Sequence, residues 1–228
     1  MKSYRLYLFL FVAVAYLISS VVEQRTMVLI TKPLLMPTLA WWMVDGIAQS
    51  SARFLWRSVL AGLGFSTIGD VFMMFADGSH GALFFLLGLG AFLFTHLSYI
   101  GGFTSVAGFG KGFLQRNPVW VLPFLAFLGS FVWWLWPGIP VGMRTPVSIY
   151  AAVITTMVLS IVNLKGRLKQ PVFVQMLFGG LLFMLSDSLI AAQKFSNALQ
   201  GAGLAIMITY IAGQFLIVKG VRETDGGR

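Results

Sequence analysis

An all-α membrane protein of eight spanning helices is the fold class this sequence predicts, and three observations lead to it. The 228 residues are 58% hydrophobic and only 10% charged, a balance that cannot cover a water-soluble core with polar surface. The apolar residues fall into stretches of about 20, the length that crosses the hydrocarbon of a bilayer as a helix. Lys and Arg gather on alternate connections, as expected of cytoplasmic loops.

The spans are expected near 6–22, 27–44, 54–76, 81–103, 118–136, 146–163, 171–192 and 198–218, all within one transmembrane domain covering 1–228. The first, preceded by Lys2 and Arg5, reads as a retained helix: its run is long and no small-residue cleavage site follows it. The second contains Pro33 and Pro37, which release backbone carbonyls beside Lys32. Irregular backbone of that kind is tolerated in a membrane where it is buried in protein or lines a cavity. Trp133, Trp134 and Trp136 close the fifth span as an interfacial aromatic belt.

Charge placement orients the set. Lys2, Arg5, Arg53, Arg57, Lys111, Arg116, Lys165, Arg167, Lys169, Lys219, Arg222 and Arg228 fall on the amino-terminal side, twelve cations against the three of Arg25, Arg144 and Lys194. Both termini are therefore expected in the cytoplasm, with the protein in a bacterial inner membrane. The net charge of +9 is explained by this bias and does not call for nucleic acid as a partner.

Three ionisable side chains lie well inside spans: Lys32, Asp70 and Asp187. A charge at the bilayer centre costs roughly 2.5–3.5 kcal/mol on insertion scales, so such residues face a bundle interior and mark function. Counting in from the outer ends places all three at a common depth of roughly 8–10 Å. Two carboxyls and one ammonium cannot all be neutralised in a dry site, so one carboxyl is expected to keep its proton and the other to stay ionised. A general acid and a general base result. A purely structural ion pair is the competing reading of the same three residues.

Small residues flank both acids. Gly62, Ser66, Asp70 and Met73 share a face of the third span, and Gly180, Asp187, Ala191 and Lys194 a face of the seventh. Gly62-Leu-Gly-Phe65 before Gly69-Asp70 parallels Gly180-Leu-Leu-Phe183 before Ser186-Asp187, with a one-residue gap. The spacing admits a parallel four-plus-four internal repeat, with the two Asp as mates. On the fourth span His96 and Tyr99 lie one turn apart. Depth counted from the outer loop puts Asp70 opposite about Gly88 and His96 roughly 12 Å deeper.

Several chemistries are absent. There is no cysteine, and the second histidine, His80, lies in a loop, which leaves no multi-histidine or thiolate metal site. No nucleophile elbow, P-loop or dinucleotide fingerprint occurs. Cofactor-free acid and base chemistry remains.

Taken together, Lys32-Pro33, Phe65-Ser-x-x-Gly69-Asp70, Gly88-Leu-Gly-Ala-Phe92 leading to His96-x-x-Tyr99, and Leu185-Ser-Asp187 with Lys194-Phe195 resemble the YhhN and TMEM86 lysoplasmalogenase family. The resemblance implies a hydrolase that cleaves the vinyl ether bond of a lysoplasmalogen, giving a fatty aldehyde and a glycerophospho-headgroup. It implies a lysophospholipid as substrate, drawn from membrane lipids, and no metal or other cofactor. Asp70 and Asp187 are the expected catalytic pair, with Lys32, His96, Tyr99, Ser66 and Ser186 binding substrate or tuning the acids. Lys32 could hold the lipid phosphate or keep one Asp ionised. The alternative is a proton-coupled transporter or lipid carrier built on the same carboxyls, which would need access from both sides of the membrane.

Overall fold

The structure is a computed structural model that describes residues 4–45, 50–108, 110–196 and 201–224. Among the described residues every long element is a helix. They are α1 (Tyr4–Val21), α2 (Arg25–Thr31), α3 (Leu35–Val44), α4 (Arg53–Met73), α5 (Gly81–Ala107), α6 (Phe113–Arg116), α7 (Leu122–Leu135), α8 (Val141–Val162), α9 (Gln170–Phe195) and α10 (Gly203–Glu223). Seven stretches are long and apolar enough to cross a membrane: α1, Arg25–Val44, α5, Pro118–Gly138, α8, α9 and α10. The chain is thus an all-helical integral membrane protein. The 21-residue α4 is outside that set. Arg57, Asp70 and its glycines and hydroxyls dilute an otherwise apolar run.

Boundaries depart most from expectation in three places. The second apolar stretch is broken into α2 and α3 by a 3-10 turn at Lys32–Leu34, because Pro33 cannot donate to the carbonyl one turn back. Thr38 Oγ1 donates to the carbonyls of Leu34 (2.8 Å) and Leu35 (2.9 Å) just after the break. The sixth span starts at Val141 rather than 146, with Pro140 at its N-cap and Pro146 inside the helix. Arg144 thereby joins its first turns. The last helix starts at Gly203 rather than 198, and residues 198–200, like Lys2 and Arg228 of the charge count, lie outside the described residues.

The chain divides into two compact units, one ending at Gly102 and the other beginning at Phe103, so the boundary falls within α5. In the first unit α1 packs on α2 and α3, and α3 packs on α4. Arg5 ties the start of α1 to the end of α3: its guanidinium pairs with Asp45, donates to Trp41 O (3.2 Å) and lies 4.9 Å from the Trp41 ring centre.

In the second unit α9 and α10 form the tightest pair, α8 packs on α9, and α7 lies on α8 and α9. Two basic connections sit side by side. Arg167 donates to the carbonyl of Lys111 (3.0 Å), Leu114 N–H to Asn163 Oδ1 (2.9 Å), and Lys165 Nζ lies 4.7 and 5.1 Å from the ring centres of Phe113 and Trp120. Of α7 only Leu135 is buried, and Trp133 is 80% exposed.

Candidate functional site

Small residues decide how α4 meets α5. A Cβ on Gly62 would sit 2.3 Å from the Tyr99 ring, and one on Gly69 would sit 2.9 Å from the Phe92 ring. One on Gly88 would sit 3.1 Å from Met73 Cγ. Between these rungs the Thr95 hydroxyl donates to Gly62 O (3.0 Å), which leaves its oxygen to accept from Ser66 Oγ (3.0 Å). All of Ser66, Thr95, His96 and Tyr99 are fully buried. Thr95→Val keeps the shape and removes both hydroxyl bonds, so it is expected to lower stability by about 0.5–1.5 kcal/mol, read as thermal unfolding in detergent.

The same rungs correct the depth of His96. Met73, not Asp70, faces Gly88, and Gly69 faces Phe92, so Asp70 is level with about Ala91. His96 is then level with about Phe65, five residues along α4 and roughly 7 Å from the level of Asp70 rather than 12 Å. The reason is the turn. After Met73 the chain keeps coiling through bonds such as Phe75 N–H to Phe72 O (3.0 Å) and Gly78 N–H to Phe75 O (3.2 Å), and it reverses near Gly81.

Asp70 is 3% exposed on this face of α4. Tyr16 of α1, also buried, stands within electrostatic reach of Asp70. The 3-10 turn carrying Lys32 packs against α4. Lys32 itself is half-buried and, among the described residues, enters no salt bridge.

Asp187 occupies α9 of the second unit and is 8% exposed. The buried Tyr150 of α8 donates its phenolic proton to Asp187 Oδ2. Ser186 turns the other way and donates to Ile206 O (2.9 Å), joining α9 to α10. Tyr210 of α10 stands within electrostatic reach of Tyr150 and meets Phe183 edge-on, with ring centres 5.5 Å apart. Close approach is again set by glycine. A Cβ on Gly179 would lie 2.9 Å from Gly213 O, and one on Gly213 would lie 2.8 Å from Phe183 N. Gly180 faces α8 instead, its Cβ position 2.6 Å from Ile161 Cδ1.

Asp70 and Asp187 are the buried carboxyls among the described residues. Each unit thus holds one buried carboxyl on a helix set by glycine contacts, and a carboxyl of this kind can supply a proton or a fixed negative charge. Ser66 and Ser186 both tie neighbouring helices together through their hydroxyls. Tyr16 and Tyr150 are site neighbours that sequence reasoning passed over. A depth count would have found Tyr150, which lies nine residues after the start of α8, while Asp187 lies eight before the end of the antiparallel α9.

The chain is also similar to known proteins. Over 137 residues the chain is 31% identical to a protein named lysoplasmalogenase from Mycobacterium bovis, covering 60% of this chain and 50% of the relative. It is 29% identical over 170 residues to lysoplasmalogenase TMEM86A of Bos taurus, with coverage of 73% and 65%. Against human lysoplasmalogenase TMEM86B it is 28% identical over 152 residues, with coverage of 67% and 58%. The matches thus span between half and two thirds of the length of these relatives. No solved structure matches the chain. A profile of the YhhN family matches residues 27–221, which takes in Lys32, Asp70, His96, Tyr99, Tyr150 and Asp187, and the chain belongs to that family.

Proposed function

We propose that this protein is an intramembrane lysoplasmalogenase: it adds water across the vinyl ether of a lysoplasmalogen and releases a fatty aldehyde and a glycerophospho-headgroup. The observation that carries the reading is the burial of Asp70 and Asp187 in a YhhN-family chain whose relatives bear that name. The chemistry needs only what two carboxyls provide. A carboxylic acid protonates the outer alkene carbon, and the ether oxygen shares the resulting positive charge as an oxocarbenium ion. A carboxylate stabilises that cation and accepts a proton from the attacking water. The hemiacetal then collapses: its hydroxyl proton returns to the first carboxyl, while the second protonates the departing glycerol oxygen. Both groups are reset, and no metal or other cofactor is called for.

The remaining features support the same picture. At 21 residues α4 is roughly 30 Å long and lies along α5 from Gly62 to Met73, which supports it as an eighth span. Both termini are then cytoplasmic, in a bacterial inner membrane, and the whole chain is one transmembrane domain. Gly62 and Gly179, each eight residues before its Asp, both mark a close helix contact. That pairing needs no gap, unlike Gly62 with Gly180, and supports a four-plus-four repeat. Lys32, half-buried at a broken helix, suits the lipid phosphate, with His96 and Tyr99 lining the substrate path.

The test is aldehyde release from a lysoplasmalogen by detergent-purified protein, beside the saturated-ether analogue. Aldehyde from the vinyl ether alone is expected. A folded protein that releases none across headgroups and pH sinks the reading and turns attention to lipid or proton transport.

A further inference from the structure

Resting on that proposed activity, we infer that the two acids have fixed and different roles: Tyr150 positions Asp187 as the anion, which leaves proton delivery to Asp70. The geometry is local to the second unit. Tyr150 and Asp187 are each 8% exposed, on the neighbouring helices α8 and α9, and the phenol O–H points at Asp187 Oδ2. A phenol keeps its proton under ordinary conditions, so this oxygen of Asp187 is an acceptor. Hydrogen bonds to an ionised acceptor are about twice as strong as neutral ones, and one oxygen fixed by Tyr150 orients the other. The adjacent Ser186 does not compete, since its proton goes to Ile206 O.

The groups around each acid fit the division. Tyr150 from α8 and Tyr210 from α10 face the Asp187 region, and α7 carries no titratable side chain. On the elements packed with α4, Tyr16 of α1 is within reach of Asp70, Lys32 lies on the 3-10 turn, His96 and Tyr99 lie further along α5, and α3 carries no titratable side chain. In the reaction the Asp70 O–H bond breaks as its proton joins the outer vinyl carbon. The π electrons form the new C–H bond. Asp187 then takes a proton from the water whose oxygen bonds to the oxocarbenium carbon. Tyr150 acts on the reaction through Asp187, so it is a positioning residue.

Tyr150→Phe tests the assignment in two ways, on the full-length protein in detergent. In infrared difference spectra between light and heavy water, the carboxylate stretches are expected to shift while the carboxylic-acid C=O band of the resting protein stays in place. With the lysoplasmalogen, kcat is expected to fall about ten- to hundredfold with KM within about twofold. A moved acid band, or a wild type with no acid band, overturns the assignment, and so does unchanged kcat in a variant that melts at lower temperature. Expected spectra together with no aldehyde from the wild type would instead remove the hydrolase reading alone.

Discussion

Asp70→Asn and Asp187→Asn are each expected to cut aldehyde release by a factor of about 10² to 10⁴ without loss of folded protein. Each change keeps the side-chain volume and removes either the proton donor or the negative charge. Stability should move the opposite way from activity. A carboxyl held in a dry helix bundle costs free energy, and a neutral amide in its place costs less, so melting temperatures in detergent are expected to stay level or rise. That combination separates chemistry from scaffolding. If the Asn variants and Asp→Leu variants of similar size instead all fail to fold, the acids serve a structural network and the catalytic reading loses its basis.

The second large effect lies at the α9 and α10 crossing. Gly213→Leu is expected to prevent the two helices from closing, and Gly179→Ala to cost about 1–3 kcal/mol, because in both the added atoms meet backbone. A side chain can rotate away, whereas Phe183 N, Gly179 O and Gly213 O cannot. Gly129 on α7 and Gly64 on α4 are the controls. Nothing lies within 4 Å of a Cβ at either, so alanine there should leave stability unchanged or raise it slightly. Melting temperature in detergent checks all four. Equal melting of Gly179→Ala and Gly129→Ala would mean that the helix crossing does not depend on glycine.

Apolar length and two embedded acids were enough to locate most helices and to single out Asp70 and Asp187 for burial. Local composition could do that because the cost of a charge in hydrocarbon is large and depends little on neighbours. What escaped depends on rotation and register. A tyrosine in an apolar run attracts no notice until the rotation of α8 aims Tyr150 at Asp187. The hydrogen-bonded turns after Met73 moved the α4 and α5 rungs by about one turn, which a count from the middle of the loop could not foresee. Pro146 looked like a helix start, yet Pro140 holds the N-cap and α8 continues through Pro146. Gly179 was overshadowed by Gly180, although the two glycines face different helices.

The exposure of α7 also bears on how the protein can be watched. Of its seven tryptophans, Trp41, Trp120, Trp133, Trp134 and Trp136 are exposed, and only Trp42 and Trp56, both in the first unit, are buried. Intrinsic fluorescence will therefore be dominated by indoles that see lipid headgroups and acyl chains. Brominated lipids should quench most of the emission of the intact protein. The light that survives comes from Trp42 and Trp56 and reports on the unit that holds Asp70, so one cuvette can follow membrane contact and that interior separately.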